Sequence, residues 1–173
     1  MPKWRVMQGI LEGGFNPAAR MASARRKIRT RGVIAMTAAE FLPDDAFVEA
    51  FENLTLDPKL FNHRGHLRLA WCYLNWLPLG EAAQRCADSI RRFATHHGSP
   101  EKFHLTMTYA FMHIVSARLS NAVPGEDFAG FCDRNPDLLR DGRALIGRYY
   151  SSRRLSDPAA RMAFIEPDVM PLP

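Results

Sequence analysis

From residue 36 onward, apolar residues return at intervals of three and four, with no run of strict apolar and polar alternation bounded by turn residues. That period predicts an all-α domain. A short helix is expected over about Asp44 to Leu54, where "PDD" supplies a start signal and early negative charge. After the "DPK" break, a second helix is expected from about Phe61 to Leu77. Pro78 and Gly80 then punctuate the chain, and a third helix runs from about Glu81 to His97, closed by Gly98 in "GSP". The fourth spans about Glu101 to Asn121 and ends at "AVPG". Shorter pieces follow near Asp127 to Asn135, Pro136 to Leu139 and Arg143 to Tyr150. The last is opened by "SDPAAR", with Ser156 or Asp157 as the cap and Pro158 at the first helical position. The closing "EPDVMPLP" reads as an extended strap.

Short connections between the three long helices predict an antiparallel bundle, with shorter helices on its N- and C-terminal sides. That topology carries His63, His66, His96, His97 and His104 to one end, whereas His113 lies about 14 Å of helical rise deeper. Facing separates these residues further. His63 heads the stripe Leu67, Ala70, Leu74, and His66 the overlapping stripe Ala70, Tyr73, Leu77. His97 ends the stripe Ala83, Cys86, Ile90, Phe93, while His96 falls about 100° away. His104 sits at the edge of the core near a helix start, where the positive end of the helix disfavours imidazolium.

These placements make His63, His66, His97 and His104 the candidate metal ligands, with His66 and His104 the candidate acid and base. Imidazoles from neighbouring helices can share one divalent ion, such as zinc, nickel or iron, or one substrate. Arg64, Arg68 and Thr108 complete a candidate pocket for a small polar or anionic molecule. Glu101 and Glu52 are the carboxylates nearest to joining it. The same imidazoles, taken singly, also fit a structural role at helix ends. "RYYSSRRL", residues 148 to 155, reads as a surface loop.

Composition adjusts this picture in two ways. The chain has 173 residues, 47% of them hydrophobic, which is enough for one sizeable core. The net charge of +5 is unevenly spread: residues 1 to 35 hold eight Lys or Arg against the single acid Glu12, and the remainder is close to neutral. The expected organisation is therefore a basic, disordered extension over 1–35 and one helical domain over 36–173. The extension also suits an arm touching nucleic acid, or an Arg-rich targeting segment. Apart from that arm, no nucleic-acid partner is expected. Three cysteines without a C-x-x-C pair fit a reducing, cytoplasmic compartment better than a disulfide framework. No stretch is long and apolar enough for a membrane span. Oligomeric state is left open.

No G-x-S-x-G elbow, Walker-type loop or G-x-G-x-x-G after a strand is present. The strings "FNHRGHLRLAW", "RRFATHHGSPEKFHLTMTYAF" and "RYYSSRRLSDPAARMAFIEPD" resemble a family of small bacterial all-helical proteins, from near Met36 to the C-terminus. A looser similarity is to the DinB-like bundles, and it implies a divalent metal held by histidines from separate helices. Their second pair is H-x-x-x-H, where this chain has H-x-x-H. Two function classes follow: a small enzyme using the histidine cluster, metal-bound or directly as acid and base, and a non-catalytic helical ligand-binding or interaction domain with structural histidines.

Overall fold

Local chemistry at the helix ends decides where each element begins. The computed structural model describes residues 42–121 and 123–173, and the expectations for residues 1–35 and for a domain start at Met36 lie outside them. Among the described residues there are nine α-helices and no strand. Helix α1 is Asp44–Glu52, with Asp44 and Asp45 in its first turn and Phe47, Val48 and Phe51 buried. Its exit is closed by Leu54 in the left-handed region, φ 62°, a place more often taken by glycine. A 3₁₀ turn over Pro58–Leu60 leads to α2, His63–Trp76.

Helix α3 is Leu79–His96 and begins two residues before the expected Glu81, because the Pro78 carbonyl already accepts from the Ala82 N–H at 2.9 Å. Gly98 ends that stretch at φ 66°. Helix α4, Leu105–Leu119, starts four residues later than expected. Pro100–Lys102 forms a 3₁₀ turn, and the extended His104 caps α4. The remaining helices are α5 (Phe128–Arg134), α6 (Pro136–Arg140), α7 (Gly142–Ile146), α8 (Ser152–Leu155) and α9 (Pro158–Met162). Part of "RYYSSRRL" is thus helical rather than loop: the Ser151 hydroxyl accepts from the Arg154 N–H and starts α8.

Helices α2, α3 and α4 are the longest, at 14, 18 and 15 residues, and each packs against the other two. Helix α1 lies on α2 and α3, α6 on α2, and both α7 and α9 on α4. Phe51, Leu67, Tyr73, Met112, Phe131 and Leu138 are fully buried between them. The C-terminal residues cross this core as a strap. The Tyr150 hydroxyl donates to the Ile165 carbonyl (2.9 Å), and the Thr106 hydroxyl donates to Ala163 O (2.8 Å) while accepting from the Ile165 N–H (3.2 Å). No helix among the described residues is long and apolar enough to cross a membrane.

Candidate functional site

The two histidines of α2 owe their positions to their neighbours. Asn62, not a histidine, caps the helix, its side chain accepting from the Gly65 N–H at 3.1 Å. Gly65 allows the preceding 3₁₀ turn to approach, since a Cβ there would lie 2.8 Å from Leu60 O. His63 and His66 then follow on the first turn and both line a cavity of about 210 Å³. The walls come mainly from α2, α4 and α7, with Ile90, Met107, Phe111 and Met112 among the apolar contributors.

The imidazoles differ in what they are free to do. His63 Nε2 donates to the Leu138 carbonyl at 2.7 Å, which leaves Nδ1 unprotonated in the neutral ring. His104 has both nitrogens engaged: Nδ1 accepts from the Met107 N–H (3.3 Å) and Nε2–H donates to Leu155 O (3.0 Å). The ring lines the cavity but serves as the cap of α4. His66, by contrast, makes no hydrogen bond to the described residues and packs on Phe61 with ring centroids 4.0 Å apart. Its burial, reinforced by neighbouring His63, pushes its pKa down to about 4, so the ring is neutral at pH 7.

The other predicted site residues are divided. Thr108 lines the cavity and donates its hydroxyl proton to His104 O at 3.1 Å. His97 lies outside the lining, stacked near Phe93 at 4.4 Å, with its buried Nε2 lacking a hydrogen-bond partner. Arg64 stands over the Phe128 ring at 5.1 Å, away from the cavity. Arg68 pairs with Asp44 at 2.6 Å and donates to Leu42 O, tying α2 to the segment before α1. Glu52 is bound by Arg85 at 2.7 and 2.9 Å and by the Tyr73 hydroxyl at 2.7 Å. These contacts, Arg85 first, hold its carboxyl below the usual range. Glu101 does not line the cavity either, and its carbonyl accepts from Arg161.

Four lining residues escape a reading of periodicity: Lys102, Gly142, Arg143 and Ile146. They come from a 3₁₀ turn and from a five-residue helix some eighty positions after His63, and no local pattern announces their meeting. Gly142 is sterically required there. A Cβ would fall 2.7 Å from His63 Cε1 and 3.5 Å from Phe111 Cε2. Gly142→Ala is expected to displace the His63 ring, break its bond to Leu138 O and destabilise the domain by about 1–3 kcal/mol. Gly80→Ala on α3, where a Cβ meets nothing within 4 Å, is the control. Equal urea midpoints for the two variants would contradict this account of the close approach.

Among the described residues, no group of three or more His, Cys, Asp or Glu side chains is placed to hold a metal ion. Of the four predicted ligands, the hydrogen bonds above leave over His66, the Nδ1 of His63 and the buried Nε2 of His97, and His97 lies outside the cavity lining. The four predicted ligands are thus not gathered into one metal-binding group among the described residues. Cys86 also lines the cavity, but burial pushes its thiol up to about 12, so it carries little thiolate at pH 7. A second hollow, about 610 Å³ and broadly open to solvent, lies along Glu52, Arg85 and Asp88, whose charges are largely satisfied by one another and by Gln84. No protein family, curated protein or solved structure matches the chain in comparisons with known proteins.

Proposed function

We propose that the cavity beside α2 and α7 binds a small polar or anionic molecule, and that His66 is the group that acts on it, as hydrogen-bond partner or as proton acceptor. The observation that carries this reading is the half-buried imidazole of His66, which lines the cavity without a hydrogen bond to the described residues. A half-buried ring with unused nitrogens beside an open volume offers a ligand atom a hydrogen bond. A bound anion next to the ring raises its proton affinity, which turns a weak base into a competent one only when the ligand is present.

The reading uses α2, α3 and α4 as an antiparallel set. The two-residue connection from α2 to α3 supports that arrangement. Three free, buried cysteines support placing the protein in a reducing compartment such as the cytoplasm. The non-catalytic alternative is favoured by a specific observation: His63 and His104 each donate to a backbone carbonyl far along the chain, as structural histidines do.

An NMR titration separates the two. The His66 ring resonances, assigned by their loss in His66→Gln, are followed while a fragment library is added. We expect fragments that shift them and that bind the His66→Gln variant more weakly. If fragments bind but His66→Gln leaves their affinity unaltered, the imidazole is structural; if no fragment reaches the cavity, there is no small-molecule site.

A further inference from the structure

Charge around the cavity is one-sided. Lys102 and Arg143 both line it and both are exposed, so they stand where it opens to solvent. They come from different segments, the 3₁₀ turn before α4 and helix α7. Neither has an ion-pair or hydrogen-bond partner among the described residues, whereas Arg68, Arg85, Arg118 and Arg134 are each paired with a carboxylate. No Asp or Glu lines the cavity. Behind the two cations the wall is mostly apolar, formed by Ile90, Met107, Phe111, Met112 and Ile146, with Thr108 and the rings of His63, His66 and His104 among them.

From this division we infer that the ligand is a short amphipathic carboxylate, its apolar body in the cavity and its carboxylate at the mouth between Lys102 and Arg143. The inference rests on the small-molecule reading above and names the chemical class. A guanidinium matches a carboxylate in a two-pronged geometry, and an ammonium adds a second positive charge. At about 210 Å³ the volume is below the roughly 300–1,000 Å³ of drug-sized sites, which suits a body of a few carbons. His66 is neutral at pH 7 and does not compete with the two cations for the carboxylate. A hydroxyl or carbonyl part-way along the body would meet it. An amine of the same length would place like charge beside Lys102 and Arg143.

The test uses the full chain at pH 7 and three probes that differ only in head group: hexanoate, hexanol and hexylamine. Binding is followed through the His66 ring resonances. Hexanoate is expected to bind roughly tenfold more tightly than hexanol, with hexylamine the weakest, and to weaken as salt is added. The double variant Lys102→Gln, Arg143→Gln changes two exposed side chains, and it is expected to bring hexanoate down to the level of hexanol while leaving hexanol as it was. If hexanol binds as tightly as hexanoate, or if the double variant binds hexanoate unchanged, the carboxylate assignment is overturned and the small-molecule site stands. If none of the three probes moves the His66 signals, the carboxylate assignment again fails. The fragment titration then decides whether the cavity binds anything at all.

Discussion

Phe51→Ala is expected to destabilise the domain by about 3–5 kcal/mol, the usual range for removing a fully buried phenylalanine. Phe51 has no exposed surface, and its ring centroid lies 4.5 Å from that of Phe93 and 4.2 Å from that of Phe61. Truncation removes one ring from a stack that joins α1, the segment before α2, and α3. Because Phe61 is also the ring that covers His66, the effect reaches the cavity. With Phe61 freed on one side, water gains access to His66, and its pKa is expected to climb back toward the ordinary value of 6.5. Urea unfolding measures the first effect, and the pH dependence of the His66 ring resonances the second. Phe51→Leu, which keeps most of the volume, should lose much less. A loss below about 1 kcal/mol for Phe51→Ala would mean that this stack does not hold α1 in place.

The second large effect is a dependence of stability on pH. His66 has a folded pKa of about 4 against 6.5 in the unfolded chain, so between those values the unfolded state binds more protons than the folded one. Stability from this group is therefore complete above pH 6.5, falls as the pH drops toward 4, and changes no further below it. The shift corresponds to a loss of about 3 kcal/mol across that window. The charged and titratable groups lining the cavity with the ring are His63 on the same helix, Cys86 on α3, whose thiol stays protonated over this range, His104 at the start of α4, and Lys102 and Arg143 at the mouth. None is an acid that would stabilise the imidazolium. Urea midpoints measured from pH 7.5 to 4 should fall more steeply for the natural chain than for His66→Gln, whose side chain does not titrate. Parallel curves would show that His66 is solvated in the folded state, and the reading of its ring as a desolvated cavity wall would be lost.

Much of the helical architecture was legible in the chain because helix boundaries are settled by nearby atoms. Asp157 accepting from Ala159 N–H with Pro158 behind it, Asp127 accepting from Gly130 N–H, and Gly98 at positive φ all act within a few residues. A capping interaction of that range is written into four or five consecutive letters. His104 shows where the principle fails: it falls in the first turn of the helix expected from Glu101, yet its ring is the cap, with Leu155 O on a distant segment holding Nε2 while Nδ1 takes the Met107 N–H.

The sequence by itself thus determined the helical class, most of the helix ends and the nearness of His63 to His66, which follow from a repeat of 3.6 residues and from short-range hydrogen bonds. Only the tertiary structure decided which histidine of the cavity keeps both ring nitrogens unengaged. His63 is committed by Leu138, 75 positions away, and His104 by Leu155, 51 positions away, while no hydrogen bond from the described residues engages His66. The cations at the cavity mouth were likewise decided by packing, since Arg143 reaches the cavity through the docking of α7 on α4. Periodicity says which side of a helix a residue occupies; the partner that will engage it arrives from elsewhere in the chain, and that is settled by how the helices pack.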